Sequence, residues 1–139
     1  MIVQERLRDQ IIVAALTTQV EWLAAVDTGF TDGGRIARAA AVLFRLPSME
    51  PIEAHIAHAP VNFPYVPGLL SFRELPAVLA AATQFSRQPD LILCDGQGIA
   101  HPRRLGIASH LGLLLDTPTL GVGKSRLIGR HDEPGPAKG

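Results

Sequence analysis

One cysteine, no net charge and no long apolar run set the first limits on this 139-residue chain. Cys94 has no second cysteine with which to form an internal disulfide, which fits a reducing, cytoplasmic setting. No stretch approaches the ~20 apolar residues that a membrane-spanning helix needs, so no membrane partner is expected. The opening MIVQERLRDQ mixes acids with bases and has no apolar segment behind it, unlike a signal peptide. Thirteen basic residues balance thirteen acidic ones. Nucleic-acid-binding modules are usually basic, so the total argues mildly against such a partner. The distribution leaves room for one. Arg103 and Arg104 are adjacent, and Lys124, Arg126 and Arg130 fall in one short stretch, giving either a local basic strip or an ordinary solvated surface.

What is present is a globular composition, 47% hydrophobic and 19% charged, in a length suited to one domain and a single core. Residues 3–15 place Val3, Leu7, Ile11 and Ala14 at helical spacing. EWLAAVD (21–27) is a short apolar run ending at a carboxylate, the pattern of a central strand. Asp32-Gly33-Gly34 signals a hairpin turn into a second strand, RIARAAAVLF. After the turn at 47–51, alternation through Ile52, Ala54, Ile56 and His58 suits an edge-like third strand. The segment 59–69 contains three prolines and a glycine and reads as a stiff loop. A helix follows with Leu75, Val78, Leu79, Ala82 and Phe85 on one face. Leu91–Cys94 is a buried strand ending at Asp95. Pro102 suits the first position of a further helix bearing Leu105, Ala108, Leu111 and Leu115, and residues 118–122 form a fifth strand. The last nine residues, 131–139, read as a flexible tail. The expected fold is therefore α/β, a mixed sheet of three antiparallel strands followed by parallel strands, with flanking helices. Ligands in such sheets gather beyond the carboxyl ends of the parallel strands, where Asp27, Asp95 and residues 123–125 fall.

If the first and fourth strands are neighbours, Asp27 and Asp95 converge. Two close carboxylates call for positive charge between them, and a hard cation such as Mg²⁺ meets that need with oxygen ligands. Glu74 supplies a third candidate acid, and no Cys/His cluster has zinc spacing. Plainer readings stand beside these. An Asp after a strand is often a turn former. Glu74 lies three residues after Ser71 in a capping-box pattern, although Pro76 complicates that cap.

The segments VDTGF (26–30), FPYVPGLLSFRE (63–74), CDGQGIAHPRRLGIASHLG (94–112) and GVGKSRLIG (121–129) resemble, in order, the motif blocks of the endonuclease V family. The resemblance implies a ribonuclease H-like nuclease domain over residues 1–130. It implies a DNA repair enzyme that recognises inosine or deoxyinosine in DNA, and in RNA as a further candidate substrate. Such an enzyme hydrolyses the second phosphodiester bond 3′ to the lesion with Mg²⁺, for which Mn²⁺ can substitute. Asp27, Glu74 and Asp95 match the metal-binding acids, and Tyr65 matches the wedge that fills the gap beside the lesion. Gly68, Leu70, Gly96, Gly98 and Gly121 match positions around the pocket for the flipped base. His101 and Lys124 match residues near the scissile phosphate and the metal. A monomer is expected.

Physical chemistry agrees with these roles. A base read in a pocket must leave the stack, and a rigid, proline-flanked aromatic can take its space. Inosine carries a carbonyl where adenine carries an amine, so a backbone donor would select it. By their surroundings alone, Tyr65 could be a packed loop aromatic, Lys124 a surface charge and His101 a helix cap. Family members also continue past the equivalent of Gly139, so the resemblance describes a chain shortened at its C-terminus. Two other functions compete: a lesion-binding module without catalysis, and a ribonuclease H-like nuclease of other specificity.

Overall fold

The computed structural model describes residues 2–133 and 135–137. Its elements are α1 (Ile2–Arg8), β1 (Trp22–Thr31), a 3₁₀ turn (Asp32–Gly34), β2 (Ile36–Arg45), β3 (Glu50–Pro60), α2 (Leu70–Ala82), β4 (Leu91–Asp95), α3 (Ile107–Leu115) and β5 (Thr119–Val122). The sheet order is β3-β2-β1-β4-β5. β1, β2 and β3 pair antiparallel, while β4 pairs parallel with both β1 and β5. This is the mixed sheet that the pattern predicts. The parallel pairs need crossovers, and α2 and α3 supply them.

The core lies between one face of the sheet and the two crossover helices. Ala24, Val26, Ala39, Ala41, Leu43 and Ile92 meet Leu75, Val78, Ala81 and Leu111 there. Alanines at Ala24, Ala39 and Ala41, each fully buried, keep the sheet surface low beneath the helices. Leu43, Val78, Ile92 and Leu111 fill the remaining depth in the manner of a close-packed interior. Cys94 is buried among them, as a small core residue.

Four expectations are corrected. β1 does not end at Asp27. Its pairing with β4 stops at Val26↔Cys94, but its pairing with β2 runs on to Thr31↔Ile36. The helix expected over 3–15 stops at Arg8, and Ile12 and Val13 are exposed. Its inward face carries Gln4, fully buried, in place of Val3. Phe85 lies beyond the end of α2, though it still packs against the core. Pro102 does not open α3, which begins five residues later behind Gly106. The glycine-rich turn explains that shift: Gly106 N–H donates to the Gly98 carbonyl at 2.9 Å and Ala108 N–H to the Gln97 carbonyl at 3.1 Å. The turn itself therefore caps the helix, and Leu105 is buried in the connection before it.

Candidate active site

Val26 and Cys94 are the last partners in the parallel pairing of β1 with β4. The next residues on the two strands are Asp27 and Asp95, so strand register alone sets them side by side. Glu74 reaches the same neighbourhood from the second turn of α2. The capping box that would have given Glu74 a purely structural role does not form. Ser71 lies inside the helix, Leu69 occupies the cap position without a side-chain bond, and the Ser71 hydroxyl instead bonds His110 Nδ1 at 3.0 Å.

The three acids share one electrostatic environment. Burial pushes the Glu74 carboxyl up from the ordinary 4.5 to about 7, and the negative charges of Asp27 and then Asp95 push the same way. Nearby Arg73 and Lys124 oppose that rise. The same acids act on Cys94, whose thiol is raised to about 12, first by burial and then by Glu74, Asp95 and Asp27. Lys124 lies just beyond β5, and its Nζ sits 2.6 Å from Asp95 Oδ2. That bond and the attraction of Asp95 raise the Lys124 pKa, keeping it a firm cation. Asp27 Oδ1 accepts the Thr28 N–H at 2.8 Å. Among the described residues, no group of three or more His, Cys, Asp or Glu side chains stands as a ready metal cage. Like charges spread unless something positive joins them, and here the ammonium of Lys124 neutralises one of the three.

A cleft of about 170 Å³ is lined by Tyr65, Gly68, Leu70, Gln97, His101 and Leu127 among others. Tyr65 projects from the stiff loop with 68% of its surface exposed. A methyl group on Gly121 would lie 2.5 Å from the Gly98 nitrogen and 2.6 Å from the Gly96 carbonyl oxygen. Only glycine lets β5 approach the DGQG turn this closely, so Gly96, Gly98 and Gly121 form one backbone-to-backbone contact, and of the five residues expected around the base pocket Gly68 and Leu70 line the cleft.

His101, expected near the scissile phosphate, is placed by the structure in the cleft wall. It is buried, its Nε2 lies 3.1 Å from the Gly68 carbonyl, and its Nδ1 accepts the Arg103 N–H at 3.2 Å. A neutral ring with the proton on Nε2 satisfies both bonds, and burial lowers its pKa towards that neutral form. With both nitrogens engaged, it buttresses the cleft wall. Sequence reasoning missed Gln97. Its Nε2 donates to the Ser125 carbonyl at 2.7 Å, tying the loop that carries Lys124 to the DGQG turn. Gly123 leaves the space its side chain crosses, since a methyl there would lie 2.3 Å from Gln97 Nε2. Nothing in the sequence marks this glutamine apart from its place between two glycines.

The model that describes endonuclease V matches residues 5–139. An endonuclease V of Nostoc punctiforme is 55% identical over 140 aligned residues, covering all of this chain and 63% of that protein. The crystal structure of endonuclease V from Streptomyces avermitilis superposes with a TM-score of 0.91 at 41% identity, covering 99% of this chain and 61% of that one. Endonuclease V of Ciona intestinalis, solved in complex with a 23mer DNA containing an inosine followed by a ribo-adenosine, gives a TM-score of 0.79 at 32% identity, over 91% of this chain and 56% of that one. The chain thus spans about three fifths of the length of these relatives. Matched along nearly its whole length, in motif order and in fold, it belongs to the endonuclease V family.

Proposed function

We propose that this chain carries the metal-binding acids and the lesion pocket of a nuclease directed at inosine in DNA, cutting the second phosphodiester bond on the 3′ side. One observation carries the reading: a buried glutamate whose carboxyl is pushed to about 7, first by burial and then by the charges of Asp27 and Asp95, the residues that follow the last parallel partners of β1 and β4. Such an arrangement is costly for stability alone and suits a hard divalent cation. The donor set fits Mg²⁺ or Mn²⁺, being all carboxylate oxygen, and Asp27, Glu74 and Asp95 would hold the ion. When bound, it would supply Lewis-acid stabilisation of the phosphate and a more acidic water. Lys124, already cationic beside Asp95, would leave that carboxylate to the ion and offset charge growing on the phosphate. Tyr65 would enter the space left by a flipped base, and the cleft between Gly68, Leu70 and the DGQG turn would receive that base. His101 and Gln97 would keep the cleft and the Lys124 loop in position. The inosine complex of the Ciona relative supports the substrate class.

The test is nicking of inosine-bearing DNA and RNA oligonucleotides by the intact chain, with Mg²⁺ and with EDTA. The expected result is an Mg²⁺-dependent cut near inosine that disappears with Asp95→Ala while binding persists. Cleavage undiminished in chelator would remove the metal role. Cleavage indifferent to inosine would indicate another specificity, and selective binding without cleavage a lesion-binding module.

A further inference from the structure

Gln4 is fully buried, an unexpected position for a polar side chain on a short helix near the start of a chain. Its amide is saturated. Nε2 donates to the Gly68 carbonyl at 2.9 Å and to the Leu105 carbonyl at 3.3 Å, and Oε1 accepts from Arg103 Nε. Both amide protons and the amide oxygen are therefore used. Arg103, so held, donates a second bond to the Gly68 carbonyl at 2.7 Å. That carbonyl also takes His101 Nε2 at 3.1 Å, so three side chains converge on one peptide unit.

The peptide is not an arbitrary one. Gly68 has a φ of +78° in the tight turn Val66–Leu69, closed by Leu69 N–H on the Val66 carbonyl at 2.9 Å. Pro67 at the second position and a left-handed glycine at the third are the type II arrangement. A methyl on Gly68 would lie 2.8 Å from the Arg103 guanidinium, so the turn and the arginine are fitted to each other. Tyr65 immediately precedes this turn, and Gly68 and Leu105 both line the cleft. Among the described residues, Gln4 alone grips both cleft carbonyls and the arginine at once. An apolar residue there would strand Arg103 Nε and the Leu105 carbonyl and remove one of the three donors on the Gly68 carbonyl.

We infer that Gln4 is a positioning residue for base recognition: α1 pins the Val66–Leu69 turn through it, and thereby sets the Tyr65 loop against the cleft wall. The inference rests on the proposed inosine reading for its functional part, while its structural part stands separately. It is tested on the intact chain with Gln4→Met, which keeps length and shape but loses every hydrogen bond. The paired variant is Arg103→Met. Hydrogen exchange and affinity for matched inosine- and adenine-containing oligonucleotides are read together. Exchange across residues 65–70 should quicken roughly five- to thirtyfold in either variant, the scale of one or two lost buried hydrogen bonds. Exchange in β1 and β4 should stay unchanged. The double variant should add little to either single one, because the two residues form one network. Preference for inosine over adenine should fall by a similar factor with affinity for the adenine strand unaltered. Unchanged exchange over 65–70 overturns the inference, as does a uniform acceleration through the sheet, which would make Gln4 a general packing residue. A parent chain with no inosine preference would defeat the functional reading alone; the exchange result would still uphold or overturn the pinning.

Discussion

Glu74 concentrates the tension of the site. Its carboxyl is held at about 7 because burial and two anionic neighbours penalise its charge. A raised folded-state value means that its contribution to stability is full below the ordinary 4.5 and is lost as pH rises through 7. Glu74→Gln removes the penalty. In EDTA at pH 8 the variant should melt above the parent by an amount on the order of 1–3 kcal/mol in stability, and the two should converge by pH 4. Added Mg²⁺ should stabilise the parent, as any ligand of the folded state does, and leave the variant nearly unmoved. Tyr65 makes the opposite kind of contribution, exposed and outside the core. Tyr65→Ala should leave the melting temperature intact and reduce the preference for inosine by roughly 1–3 kcal/mol, the size of a base–aromatic contact. Equal loss of affinity for undamaged DNA would remove the wedge role. At this scale the sequence showed the candidate ionic groups but not the glutamines whose amides bind backbone carbonyls. Asp27 and Asp95 can be found as acids closing apolar runs, and Glu74 and Lys124 as an acid and a cation inside the recognisable motif blocks. Gln4 and Gln97 look like any polar residue until their carbonyl partners are known.

Elements were legible where hydrophobic period and turn chemistry agreed. β4 and β5 are short apolar runs bounded by Pro, Asp and Gly, and the structure places them with only a residue of difference at an end. The errors share a cause: tertiary partners replaced local signals. Pro102 is a good helix starter, yet the Gln97 and Gly98 carbonyls begin α3 later. β1 outlasts its apolar run because β2 continues to pair with it. A link that local signals could not show joins β3 to the connection after α2. Glu53 accepts the Ser86 hydroxyl and its N–H, the latter at 3.0 Å, and lies 3.1 Å from His55 Nε2. The Ser86 hydroxyl first, then His55 and the Ser86 N–H, hold the Glu53 carboxyl down at about 2. Because its value is depressed, this link is present above the ordinary 4.5 and is lost as pH falls towards 2. Glu53→Gln should therefore melt below the parent by a constant margin from pH 8 to 5. That margin should narrow between pH 4.5 and 2; a margin that does not narrow there would show that the link is not ionic.

Across the whole molecule, helices α2 and α3 cover the sheet face that carries the alanine-rich core. The opposite face leaves Ile52, Ile56, Leu120 and Val122 exposed by 44–58%. No described helix is long and apolar enough to cross a membrane. The fold class was readable because crossover connections and the switch from antiparallel to parallel pairing follow from element order. The degree of assembly of the acids was not readable, since it depends on where Lys124 and burial leave each charge. The central claim is that Asp27, Glu74 and Asp95 serve one divalent ion. Its most direct test is calorimetric titration of the intact chain with Mn²⁺ at pH 7.5, beside Asp95→Ala. The account predicts one saturable site per chain, competed by Mg²⁺ and abolished by the substitution. An isotherm without saturable binding, or one that Asp95→Ala leaves unchanged, would contradict it.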